Sequence, residues 1–116
     1  MAEFVSIHSV GELDRFIASP LSFIYISTDN CSVCHSLFPQ IEPIIAEYEE
    51  LAAGRINASE VPDIAGRLSI FTAPVLILFI EGKEVYREAR IVHLDRFEEK
   101  IDRFVSGYLA SRGDGQ

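Results

Sequence analysis

Leu21-Ser22-Phe23-Ile24-Tyr25-Ile26, then Ser27-Thr28-Asp29-Asn30, then Cys31-Ser32-Val33-Cys34 is the stretch on which the fold turns. Six residues rich in aromatic and β-branched side chains predict a buried strand. The polar four that follow predict a turn. From Cys31 to about Ala52, the residues Leu37, Phe38, Ile41, Ile44, Ile45, Tyr48 and Leu51 recur at helical spacing and trace one apolar stripe. Pro39 and Pro43 fall inside it and predict a kink, and Gly54 reads as the helix stop. The only two cysteines, three positions apart, thus stand where a strand ends and a helix begins.

On the N-terminal side, Phe4 to Ile7 predicts a short strand. Ser9 then caps a helix carrying Val10, Leu13, Phe16 and Ile17 at helical spacing, and Pro20 ends it. On the C-terminal side, Arg55 to Ala58 reads as a short strand and Ser59 as the start of a short helix with Ile64, Ala65 and Leu68 inward. The apolar run Val75 to Ile80, the turn Glu81-Gly82-Lys83 and the alternating segment Glu84 to Arg90 predict a hairpin. A last helix presents Leu94, Phe97, Ile101, Phe104, Val105 and Tyr108 on one face. The order is β-α-β-α-β-α-β-β-α. Helices between strands require parallel pairs and the hairpin adds antiparallel ones, so an α/β fold with a mixed central sheet flanked by helices is expected.

One domain over 1–110 accommodates these elements, with 111–116 a polar, frayed tail. The chain has 116 residues, 48% hydrophobic and 24% charged, which suits a globular core that needs no disulfide staple. A net charge of −8 argues against nucleic acid and against anionic lipid as partners. The longest apolar run, Ala73 to Ile80, is too short to span a bilayer, and no basic segment precedes a long apolar one at the N-terminus. The compartment expected is the cytoplasm, where a close cysteine pair is more often catalytic or metal-binding than structural.

Residues i and i+3 on a first helical turn share one face at a separation a disulfide can bridge. The free amides and positive end of the helix stabilise a thiolate on the first cysteine by about 0.3–1 kcal/mol or more. Cys31 is therefore the candidate nucleophile. Cys34, one turn further in, is the candidate resolving thiol that displaces a mixed disulfide.

The chain resembles the thioredoxin family from Phe4 to Tyr108. The likeness rests on the C-x-x-C at a strand-to-helix junction, Pro39 eight residues after Cys31, Thr72-Ala73-Pro74 opening an apolar strand, and the Phe79-Ile80-Glu81-Gly82 turn. It implies a thioredoxin-like fold and a thiol–disulfide oxidoreductase acting on protein disulfides. It also implies a cis Ala73–Pro74 bond beside the cysteines, with substrate peptide pairing to the adjacent backbone. No metal or organic cofactor is expected; a monomer supplied by a thioredoxin-reductase-type electron donor is. Several positions depart from the family pattern. Asn30 replaces a tryptophan, Ser32-Val33 replaces Gly-Pro, Tyr25 replaces a buried aspartate that helps deprotonate the resolving cysteine, and Ile91 stands near the place of the family's later glycine, which lets partners approach closely. Tyr25, Asn30 and the adjacent His35 are the candidates for tuning the pair.

Other readings compete. A non-enzymatic thioredoxin-like adaptor or redox-sensing module would use the surface around Pro74, and Asn30 and Ile91 fit it. Cys31 to His35 also spells a c-type haem attachment motif, but Met1 is the only methionine available as a second axial ligand. A zinc site of the cysteines with His8, His35 or His93 lacks ligand spacing. Asp29 reads as a helper in capping the helix start. Asn57-Ala58-Ser59 and Arg112-Gly113-Asp114 are short motifs frequent by chance, and Glu47, Glu49 and Glu50 form a solvated face.

Overall fold

The computed structural model describes residues 3–114. In chain order the elements are β1 (Phe4–Ile7), α1 (Val10–Phe16), β2 (Leu21–Ser27), α2 (Ser32–Ile45), β3 (Ala52–Asn57), α3 (Ile64–Leu68), β4 (Val75–Ile80), β5 (Lys83–Ala89) and α4 (Leu94–Asp114). The strands form one sheet in the order β1-β3-β2-β4-β5. β3 runs parallel to both β1 and β2, whereas β4 runs antiparallel to β2 and to β5. This is the expected mixed sheet, a thioredoxin-like α/β fold.

The central strands bury both faces, and their side chains sort by the two-residue period of a strand. Ile24, Ile26, Ile77 and Phe79 join one apolar cluster with Leu13 of α1 and Ile64 of α3. Phe23, Tyr25, Leu76 and Leu78 join the other with Ile41 of α2 and Phe97 and Ile101 of α4. The sheet is thus a middle layer, with α1 and α3 on one face and α2 and α4 on the other. Ser9 caps α1, its hydroxyl accepting from the Glu12 amide at 3.1 Å. The Glu12 carboxylate in turn accepts from the His8 amide at 2.9 Å. Between β4 and β5, Glu81 and Gly82 both take positive φ (52° and 82°), the conformation a two-residue hairpin turn needs.

Several boundaries differ from the sequence reading: β3 starts at Ala52 rather than Arg55, and α3 starts at Ile64 rather than at Ser59. α2 stops at Ile45 rather than near Ala52, and its chain tightens there, the Tyr48 amide reaching back only three residues to the Ile45 carbonyl at 3.1 Å. Tyr48 and Leu51 still pack on the same cluster as the helix, so the apolar period outruns the helical hydrogen bonds. Gly54 is no helix stop: it lies in the middle of β3, opposite Val5 and Ile24. A Cβ there would come within 2.8 Å of Ile7 Cδ1, 3.1 Å of Phe16 and 3.2 Å of Ile24, so any larger residue must displace side chains packed between α1 and the sheet. At the other end, α4 continues through Asp114, four residues into the segment read as a polar tail, while 115–116 lie outside the described residues.

Candidate redox site

Strand register assembles the site. Val75 of β4 lies opposite Ile26 of β2, and Ala89 of β5 lies opposite Val75. The segments after β2, before β4 and after β5 therefore meet at one end of the sheet, bringing Cys31, Ala73-Pro74 and Arg90-Ile91 together. The Ala73–Pro74 peptide is cis. The Pro74 carbonyl accepts from the Arg90 amide at 2.9 Å, which ties the end of β5 to the proline.

Cys31 is the N-cap of α2 in extended conformation, and Cys34 sits in the first turn. The two form a disulfide with Cα atoms 5.2 Å apart. The sulfurs differ in surroundings. Cys31 is partly exposed and lines an open cleft of about 660 Å³, whereas Cys34 is 1% exposed. The Cys34 amide donates to Cys31 Sγ at 3.1 Å, and the first turn of α2 carries no acidic side chain. Negative charge arriving on Cys31 Sγ thus meets an N–H donor and the positive end of a helix, with no carboxylate in that turn to oppose it.

Tyr25 lies beneath the pair. It is 2% exposed, and its hydroxyl donates to the Cys34 carbonyl at 2.6 Å. Its ring packs on Phe38 with centroids 5.0 Å apart, and the Arg55 guanidinium stands 4.2 Å from the centroid of the Phe38 ring. Burial pushes the Tyr25 phenol up to about 12, against a smaller opposing pull from Arg55. At neutral pH it is therefore a hydrogen-bond donor and no proton acceptor. The position read from resemblance as a missing base holds a neutral brace on the turn that carries both cysteines.

The remaining sequence candidates separate. Asn30 and Ile91 line the cleft with Cys31. His35 is exposed and faces a neighbouring depression of about 350 Å³, shared with His8, Asp29 and Glu60. Asp29 does not cap α2. Its carboxylate accepts from the Asn57 side-chain amide at 2.7 Å and its own amide donates to Ser59 Oγ at 3.1 Å, binding the β2–α2 turn to the loop after β3. Among the described residues no group of three or more His, Cys, Asp or Glu side chains is placed to hold a metal ion.

Sequence reasoning met Val33 only as a departure from the family pattern and passed over Phe71 and Arg90 as site residues. All three line the cleft, and Phe71 is 92% exposed. A large aromatic between a helix end and Pro74, in a segment too short to build an element of its own, was the available signal. Arg87 supports that segment from outside. Its guanidinium donates to the carbonyls of Leu68 (2.7 Å) and Ser69 (3.2 Å) and pairs with Glu84 at 2.8 Å.

Comparison with known proteins agrees with this geometry. The thioredoxin family model matches residues 5–103. The chain is 44% identical over 104 residues to the thioredoxin-like protein YdfQ of Bacillus subtilis, covering 89% of this chain and 93% of that protein. It is 37% identical over 90 residues to a thioredoxin of Chlamydia pneumoniae, covering 78% and 85% respectively. Among solved structures it is similar in fold to a mutant thioredoxin from Halobacterium salinarum, with a TM-score of 0.76, 24% identity and coverage of 86% and 88%. The thioredoxin of Trypanosoma brucei brucei gives a TM-score of 0.79 at 15% identity, covering 90% and 92%.

Proposed function

We propose a division of labour between the two cysteines from one premise: this chain belongs to the thioredoxin family and is a thiol–disulfide oxidoreductase. Cys31 is the nucleophile and Cys34 the resolving thiol. In the reduced protein the Cys31 thiolate attacks one sulfur of a substrate disulfide. The mixed S–S bond forms as the substrate's own S–S bond breaks, and the departing sulfur leaves as a thiolate that takes up a proton. Cys34, losing its proton, attacks Cys31 Sγ. The Cys31–Cys34 disulfide closes and the second substrate thiol is released. Two electrons have passed to the substrate, and an external dithiol, or a thioredoxin-reductase-type donor, restores the pair.

The asymmetry of the pair supports this order. Cys31 faces the cleft at a helix N-terminus, while Cys34 is 1% exposed and does not line the cleft. Substrate peptide lies along the cleft beside Ala73 and Pro74. Protein disulfides are the substrate class and a reducing compartment such as the cytoplasm is the setting; no helix among the described residues is long and apolar enough to cross a membrane.

Trapping tests the assignment. Cys34→Ser, incubated with a disulfide-bonded protein such as insulin, accumulates a covalent adduct that dithiothreitol releases, and Cys31→Ser accumulates none. Adducts on Cys31→Ser and not on Cys34→Ser would reverse the roles. Adducts on neither, together with partners retained by a Cys31→Ser/Cys34→Ser double variant, would favour a binding module over the enzyme.

A further inference from the structure

Among the described residues, the exposed large hydrophobic side chains are Val5 (52%), Val33 (54%), Phe71 (92%) and Ile91 (71%). Three of these four, all but Val5, line the cleft that holds Cys31. Solvated apolar side chains gathered at one site mark a surface that a partner covers. The same cleft has a distinctive charge. Among the described residues, Arg90 is the one formally charged side chain lining it, on a chain whose net charge is −8. Arg67, Arg87 and Arg103 each pair with a carboxylate, whereas among the described residues Arg90 has no such partner. Its backbone is held by the 2.9 Å bond to the Pro74 carbonyl, beside the site of reaction. The exposed guanidinium on this fixed backbone is a planar fork suited to a carboxylate.

We infer that the cleft selects protein disulfides whose flanking segment carries an apolar side chain and a carboxylate, the first covering Phe71 and Ile91 and the second meeting Arg90. This rests on the oxidoreductase reading. The chain's overall negative charge opposes an acidic segment only at long range. At physiological salt that field is screened beyond about 8 Å, so the local cation governs contact.

The experiment uses the full chain recycled by dithiothreitol and three cyclic disulfide peptides. They differ only in the two residues next to one cysteine: Leu and Glu, Leu and Lys, or Ser and Ser. At 0.15 M salt the Glu peptide should exceed the Lys peptide in kcat/KM by roughly two- to five-fold, the range of one exposed ion pair. Arg90→Glu should invert that ratio. Arg90→Asn, which better tolerates the left-handed backbone at this position (φ 69°), should bring it near one. Phe71→Ser should lower both Leu peptides against the Ser peptide by roughly three- to ten-fold. A native ratio of one or below, or a ratio untouched by Arg90→Glu, overturns the inference alone. Failure to reduce any peptide faster than dithiothreitol itself overturns the oxidoreductase reading beneath it.

Discussion

Replacing Tyr25 with Phe removes one hydroxyl from the floor of the redox site and leaves the ring in place. At neutral pH the lost bond to the Cys34 carbonyl (2.6 Å, buried) should cost about 1 kcal/mol, or about 4 °C in Tm for a domain of this size. At alkaline pH the sign reverses. The Tyr25 phenol titrates near 10 when unfolded and is pushed up to about 12 in the fold, so the native state holds this proton more tightly. Stability from that difference is complete below pH 10 and is lost as pH rises toward 12, amounting to about 3 kcal/mol over the two units. The Phe variant has no such proton to lose. Its stability curve should start about 1 kcal/mol below the parent at pH 7, cross it near pH 11 and lie above it by pH 12. Tyr48 is also pushed up to about 12 and Tyr86 is raised, both mainly by burial, and both are common to the two proteins, so they cancel. Denaturant unfolding of the oxidised protein from pH 7 to 12 measures the curves. Parallel curves with no crossing would refute the view of Tyr25 as a buried, neutral donor. The resolving step should stay within about two-fold of the parent at pH 7, since neither side chain accepts a proton there.

Tyr25→Asp should instead speed the resolving step, seen as faster insulin-disulfide reduction, at a stability cost of about 3–5 kcal/mol for the cavity and the buried carboxylate; unchanged turnover in the folded variant would refute a role for a base here. Gly54→Ala should destabilise by about 1–3 kcal/mol, because the new Cβ meets Ile7 Cδ1 at 2.8 Å, and a wild-type denaturation midpoint would show that the Ile7 side chain yields freely. Ser22 is fully buried with an unpartnered hydroxyl, so Ser22→Ala should hold or raise stability by up to about 1 kcal/mol, and a loss would mean that the hydroxyl is satisfied in solution.

The sequence by itself determined the element order, the mixed sheet and the cysteine pair at a strand-to-helix junction, because each is written in local terms. Period-two runs, period-3.6 stripes, turn residues and cap residues act over a few neighbours. It misplaced the end of α2 for the same reason: Tyr48 and Leu51 keep the helical period to cover the core after the hydrogen-bonded ladder has stopped. Tertiary structure alone decided what surrounds the sulfurs. Gly54 lies against the side chain of Ile7, far away in sequence, Tyr25 braces a carbonyl nine positions on, and Arg90 reaches the cleft only because β5 returns beside β4. Those meetings depend on strand register and on which face of the sheet each helix covers, and no local pattern carries that information.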